Sequence, residues 1–292
     1  MRLRTLPLAA SCILAGSAAA WQAGDGSVAV LVLALITTFL LQILSNLAND
    51  YGDFAKGTDN ADRVGPTRAM QSGAITKESM KKALIVCTVL ALISGIALLY
   101  VALAAGGKFL YAIGFLILGL GAIAAAFKYT VGDNPYGYRG LGDLFVFLFF
   151  GVVGVGGTYF LHTGEFSFTV LPLAITVGLL SAAVLNLNNL RDHVNDAACG
   201  KRTLVVKLGF AKGKIYHLII VMIAFLSGYA WIAFVAQRPL AWIALFPLLL
   251  QLLLLRKVIV TTTPAELDPE LKKVALLTFL FSLTLFISAL VS

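Results

Sequence analysis

Apolar runs and polar breaks alternate along the whole chain. Nine apolar runs can be read, at 5–23, 27–45, 79–105, 108–127, 142–162, 168–190, 214–236, 239–256 and 273–291. Each is close to the roughly 20 residues an α-helix needs to cross a bilayer. The pattern therefore predicts an all-α, polytopic membrane protein with nine transmembrane helices. The breaks fall into two kinds. Gly24-Asp25-Gly26, Gly106-Gly107, the segment 162–165 and Gln237-Arg238 are short and nearly uncharged. Segments 46–78, 128–141, 191–213 and 256–272 are long and polar.

Composition supports the membrane reading. The chain is 60% hydrophobic and 12% charged, whereas soluble domains carry about 25% charged residues. A net charge of +8 would suggest nucleic acid in a soluble protein. Here the basic residues lie between apolar runs, so membrane lipid is the expected partner and nucleic acid is not. Of the 22 Lys and Arg residues, only Lys108 and Arg238 lie outside the N-terminus, the long connections and their immediate flanks. The positive-inside rule then puts the N-terminus and the long loops in the cytoplasm, and nine spans put the C-terminus outside. A bacterial-type inner (plasma) membrane fits this arrangement. Trp21, Trp231 and Trp242 fall near the opposite face, as interfacial anchors do. The three Cys are far apart and give neither zinc spacing nor a disulfide framework. Arg2 and Arg4 ahead of an apolar stretch ending Ser17-Ala-Ala-Ala20 look like a signal peptide. With so many later spans, an uncleaved first helix is the preferred reading.

Candidate chemistry begins where the second apolar run ends. Asn46, Asn49, Asp50, Asp53 and Asp59 arrive within fourteen residues of one another after an uncharged stretch. If the helix continues, Asn46, Asn49, Asp50 and Asp53 share one face. Carboxylates so close repel unless a cation lies between them. Oxygen-only ligands suit Mg²⁺, which favours carboxylates together with substrate phosphates. A second segment repeats the theme after the sixth run: Asn186-Leu-Asn-Asn189, then Asp192 and Asp196. Asn189, Asp192 and Asp196 again share a helix face. The two segments follow spans four apart in order. This suggests two four-helix halves plus a ninth helix in a single domain over 1–292. Together, two such faces supply enough carboxylate for Mg²⁺ ions holding one diphosphate.

Basic residues near these segments complete an anion site: Arg68, Arg139, Lys201 and Arg202. Arg suits bidentate phosphate contacts and Lys acts as a point charge. The bland alternative is that loop cations set topology and touch lipid headgroups. It is preferred for Lys56, Lys77, Lys81, Lys82, Lys212, Lys214, Lys272 and Lys273. Arg191 adjoins Asp192 but stands about 100° round the helix, so the sequence does not choose between the two roles. Asp and Asn at helix ends are often caps, yet capping alone would not produce two similar runs on one membrane face. Tyr129 and Tyr138 are candidates for cation–π contact with a carbocation, or simply interfacial tyrosines. Glycines from Gly151 to Gly157 lie inside a span, where Gly permits close helix packing.

Asn49-Asp50-x-x-Asp53 and Asp192-x-x-x-Asp196 resemble the two aspartate-rich motifs of the UbiA superfamily of intramembrane aromatic prenyltransferases. The likeness runs over nearly the whole chain. Arg4-Thr-Leu-Pro7, Gly57-Thr-Asp59, Arg63-Val-Gly-Pro-Thr-Arg68, Tyr138-Arg-Gly-Leu-Gly-Asp143 and Gly200-Lys-Arg-Thr-Leu204 resemble the branch that prenylates 1,4-dihydroxy-2-naphthoate. Asp143 departs from the Glu more usual there but keeps the carboxylate.

The resemblance implies a UbiA-like fold in which Mg²⁺ bridges Asp50, Asp53, Asp192 and Asp196 to a polyprenyl diphosphate. It implies that Asn46, Asn49 and Asn189 orient the diphosphate, that Arg68, Lys201 and Arg202 bind its oxygens, and that Tyr138 lines the substrate site. Arg4 or Arg139 is the candidate partner of the acceptor carboxylate, which leaves as CO₂ in the menaquinone-forming branch. The rival acceptors are 4-hydroxybenzoate, homogentisate and the haem vinyl group. A secondary transporter is the rival of another class, but the acidic residues here sit at span ends rather than in mid-span.

Overall fold

A computed structural model describes residues 5–60, 64–65 and 67–291. Among these residues every regular element is helical. In order they are α1 (Leu6–Gln22), α2 (Val28–Ala55), α3 (Lys77–Ala104), α4 (Phe109–Lys128), α5 (Gly142–Thr163), α6 (Phe168–Ala198), α7 (Phe210–Ala236), α8 (Pro239–Val260) and α9 (Pro264–Val291). Short turns of helix at Tyr136–Arg139 and Leu204–Leu208 sit in the connections. Eight of the described helices, α2 to α9, are long and apolar enough to cross a membrane. α1 is 17 residues long. It is also the most enclosed helix: every residue from Leu8 to Ala20 is buried, against α9, α2 and α5. The chain is a multi-pass membrane protein.

Several helices outlast their apolar runs. α2 continues ten residues past the expected end at 45, and α6 eight past 190. α9 starts at Pro264 rather than 273. Hydropathy marks where lipid contact ends, whereas backbone hydrogen bonding continues into water until a cap stops it. Some starts carry a side-chain cap. Ser27 accepts from the Val30 amide to open α2, and Thr76 from the Ser79 amide to open α3.

Close packing at glycine sets the middle of the bundle. α5 widens to i→i+5 hydrogen bonding over Phe147–Gly157. A Cβ on Gly151 would stand 2.5 Å from the Ala174 carbonyl oxygen and 3.1 Å from Gly178 Cα, so α5 and α6 meet backbone to backbone. Gly151 thus acts in helix packing. α1, α5, α6, α7, α8 and α9 share one large core, with a smaller cluster around Leu44, Met80 and Leu84 between α2 and α3. α4 is peripheral: Ala126 is its one buried residue, and it rests on α2 and α3.

Candidate active site

The two acidic helix ends are built alike. α2 stops at Gly57 (φ 71°) and α6 at Gly200 (φ 72°), both in the left-handed region that favours glycine. At the first, the Gly57 amide donates to the Phe54 carbonyl and the Thr58 amide to the Asp53 carbonyl. At the second, the Gly200 amide donates to the Ala197 carbonyl and the Lys201 amide to the Asp196 carbonyl. Both pairs are Schellman caps. Each folds the chain back over the last aspartate of its motif, so Thr58 stands over Asp53 and Lys201 over Asp196.

The two ends then touch. Asn195 Nδ2 donates to the Thr58 carbonyl at 3.0 Å, and Asn60 Nδ2 to Cys199 Sγ at 3.3 Å. Asp50, Asp53, Asp59, Asp192 and Asp196 are all buried, and basic side chains stand between them. Lys201 Nζ lies 3.7 Å from Asp53 Oδ1 and 3.7 Å from Asp196 Oδ1, joining the motifs through one ammonium. Arg68 reaches Asp50 at 3.4 Å through Nη1 and Asp59 at 3.7 Å through Nε. The Tyr138 hydroxyl donates to Asp53 Oδ1 at 2.9 Å and pairs with Thr58 Oγ1 at 2.6 Å. The Lys56 and Lys201 ammonium groups lie 5.3 and 5.4 Å from its ring centroid. Burial alone would push the Lys201 ammonium towards neutrality, but Asp53 and Asp196 outweigh it and hold its pKa above the ordinary lysine value. Burial, then the Asp53 charge, raises the Tyr138 phenol, which keeps it a hydrogen-bond donor.

Below this polar head lies a cavity of about 390 Å³. Asn46, Asn49, Asp53, Arg68, Asp192, Asp196 and Lys201 line its head. Its body is apolar and aromatic, with Phe115, Phe145, Phe149 and Phe150 among its walls. α4 stands along one flank, which explains its scant burial: one side faces the cavity and the other the surroundings of the bundle. Tyr129 and Tyr136 stand at the junction of head and body.

The sequence-derived residues are thus sorted by geometry. Asn46, Asn49, Asp53, Arg68, Asp192, Asp196 and Lys201 line one space, and Asp50 joins them through Arg68. Tyr138 grips Asp53 from behind and does not line the cavity. Asn189 is buried off the cavity wall, and its neighbour Asn188 takes the lining place. Arg139 and Arg202 are exposed and off the wall; their backbones brace the loop, Arg139 accepting from Lys207 Nζ and the Arg202 amide donating to the Tyr138 carbonyl. Arg4 and Arg63 lie outside the described residues.

Arg191 is the residue whose role the sequence left open. Its guanidinium is fully buried, donates from Nε to Asp192 Oδ1 at 2.8 Å and from Nη2 to Asn188 Oδ1 at 2.8 Å, and pairs with Asp268 at the start of α9. A side chain of that length folds back along its helix to meet its neighbour, which a count of 100° per residue does not register. Thr58 was also missed; the glycine cap before it was the available signal.

Among the described residues no three of His, Cys, Asp and Glu converge as a ready metal cage. The donor set nevertheless fits a hard cation: carboxylate and carboxamide oxygens only, with Asp53 and Asp196 already facing one positive charge from opposite motifs.

Buried carboxylates and cations gathered at one end of an apolar cavity suit an amphiphile with an anionic head. The comparisons agree. Residues 9–283 match the model of the UbiA prenyltransferase family, and the chain belongs to that family. It is 44% identical to the 1,4-dihydroxy-2-naphthoate octaprenyltransferase of Haemophilus influenzae over 97% of this chain and 91% of the relative. It is also 44% identical to the Escherichia coli protein of the same name, over 99% and 94%. Among solved structures, a UbiA homologue from Archaeoglobus fulgidus bound to GPP and Mg²⁺ shares the fold, with a TM-score of 0.63, 16% identity and coverage of 98% of this chain and 99% of that one.

Proposed function

We propose that the protein transfers a polyprenyl group from a polyprenyl diphosphate to the ring of 1,4-dihydroxy-2-naphthoate, with loss of the carboxylate as CO₂. The relatives at 44% identity carry this acceptor in their names. The observation that carries the donor half is the Asp53–Lys201–Asp196 bridge at the head of an apolar cavity.

Asp50, Asp53, Asp192 and Asp196 are the residues that would hold Mg²⁺, which when bound offsets the charge of the diphosphate and makes it a better leaving group. Lys201 and Arg68 face the same space and receive diphosphate oxygens, with Asn46, Asn49 and Asn188 alongside. Tyr138 and Arg191 hold Asp53 and Asp192 in aim. The aromatic walls take the prenyl chain and exclude water, so the allylic cation meets the acceptor rather than a water molecule. The allylic C–O electron pair leaves with the diphosphate. The ring carbon bearing the carboxylate forms the new C–C bond, and the C–COO⁻ pair restores the ring as CO₂ departs. Of Tyr129 and Tyr138, Tyr129 lines the cavity wall, which supports it as the one to stabilise the cation. Arg139 stands off the wall, which leaves Arg4 as the sequence's candidate for the acceptor carboxylate.

The same reading takes α1 as a ninth span in a single domain over 1–292, with two four-helix halves that each carry one motif at the end of their second helix, plus a ninth helix. It sets the N-terminus and motif loops in the cytoplasm and the C-terminus outside an inner membrane, supported by the distribution of Lys and Arg. The test is an acceptor panel. Purified protein with Mg²⁺ and a polyprenyl diphosphate is given dihydroxynaphthoate, 4-hydroxybenzoate or homogentisate. Product from the naphthoate, with CO₂, is expected; preference for either of the others would reassign the acceptor.

A further inference from the structure

Lys201 places its ammonium between the two motifs, where a bridging cation would also sit. Its Nζ is equidistant, at 3.7 Å, from an oxygen of Asp53 and an oxygen of Asp196. An ion shared through those two oxygens would compete with the ammonium for that space. The backbone at this point is fixed: the Lys201 amide caps the Asp196 carbonyl and the Arg202 amide is held by the Tyr138 carbonyl. Only the unbranched side chain is free to swing, and the Tyr138 ring gives its ammonium a face to move across. Arg68 meets Asp50 and Asp59 of the first motif. Lys201 meets a carboxylate of each motif.

We infer that Lys201 is the resident counter-ion of the metal-free site and antagonises metal binding until a diphosphate draws the ammonium away. The inference rests on the reading that Asp53 and Asp196 hold the metal. In the diphosphate-free protein an incoming divalent ion must displace Lys201 and tolerate its charge nearby. With an anionic head group present, the ammonium gains a new partner and both carboxylates are released. Metal and diphosphate therefore load as a pair, and free divalent cation alone fills the site poorly.

The experiment uses the full chain in detergent or nanodiscs, Mn²⁺ as the probe, and no diphosphate, with bound Mn²⁺ read by electron paramagnetic resonance. Lys201→Gln, which removes the charge, is expected to bind Mn²⁺ about tenfold more tightly than the unsubstituted protein, the scale of one unit charge acting over a few ångströms. Lys201→Arg keeps the charge and is expected to stay within about twofold of the unsubstituted protein. Unchanged or weaker Mn²⁺ binding in Lys201→Gln overturns the inference, as does a Lys201→Arg protein that binds as tightly as the Gln variant. Adding Asp53→Asn or Asp196→Asn to Lys201→Gln is expected to abolish the gain. If Mn²⁺ binding ignores both Asn substitutions, the metal lies elsewhere and the assignment of these carboxylates falls as well.

Discussion

Replacing Arg191 by Met is expected to loosen the second acidic motif from the last helix. The guanidinium, fully buried, holds Asp192 through two nitrogens, donates to Asn188, and pairs with Asp268 of α9. Removing one partner of a buried ion pair costs about 3–5 kcal/mol, because the other charge keeps its desolvation penalty. The Asp192 side chain is 4% exposed, so it bears that cost. Asp268 is 37% exposed, and solvent screening leaves its share at about 0–1 kcal/mol. A stability loss of about 3–5 kcal/mol is therefore expected, read as earlier heat-induced loss of the monodisperse peak in detergent. Mis-aiming Asp192 removes about 3 kcal/mol of transition-state stabilisation, a kcat/KM loss of roughly a hundredfold. Arg191→Lys keeps the charge but not the planar fork, so it recovers much of the stability and little of the activity. An Arg191→Met protein with unaltered thermal behaviour and unaltered kcat/KM would refute this reasoning.

Other perturbations probe separate parts of the account. Tyr138→Phe removes the hydroxyl from Asp53 and Thr58, and a kcat/KM loss of about tenfold is expected from one misplaced charge-assisted hydrogen bond. Because the Tyr138 pKa is raised above its ordinary value, by burial first and Asp53 second, the neutral donor persists as pH climbs through the range where exposed phenols ionise. The ratio of wild-type to Tyr138→Phe kcat/KM is thus expected to stay flat up to about pH 10; a ratio collapsing towards unity below that would contradict it. Gly151→Ala drives a Cβ into the Ala174 carbonyl, while Gly119→Ala meets nothing within 4 Å. The first is expected to cost about 1–3 kcal/mol and the second to leave thermal unfolding unmoved.

The helical bundle was legible in the apolar runs because lipid contact demands long uninterrupted apolar segments. Both acidic motifs were legible as well, since paired carboxylates directly after a span are costly without a partner. The helix ends were not. The stretch 264–272 is too charged to read as span, yet it forms the first turns of α9 and delivers Asp268 to Arg191. Facing was the other loss. Arg68 and Lys201 enter the cavity while Arg139 and Arg202 do not, and composition cannot say which side of a loop a cation takes. The exchange of Asn189 for Asn188 on the wall is a matter of one helical position, finer than periodicity resolves.

The central claim is that two helix ends from separate parts of the chain form one diphosphate site. It is tested most directly by single-turnover release of diphosphate and of CO₂ from carboxyl-labelled naphthoate, in unsubstituted protein and in Asp50→Ala and Asp192→Ala. The account predicts equimolar release from the unsubstituted protein and loss of both products in either variant. Full release from Asp50→Ala or from Asp192→Ala would contradict it.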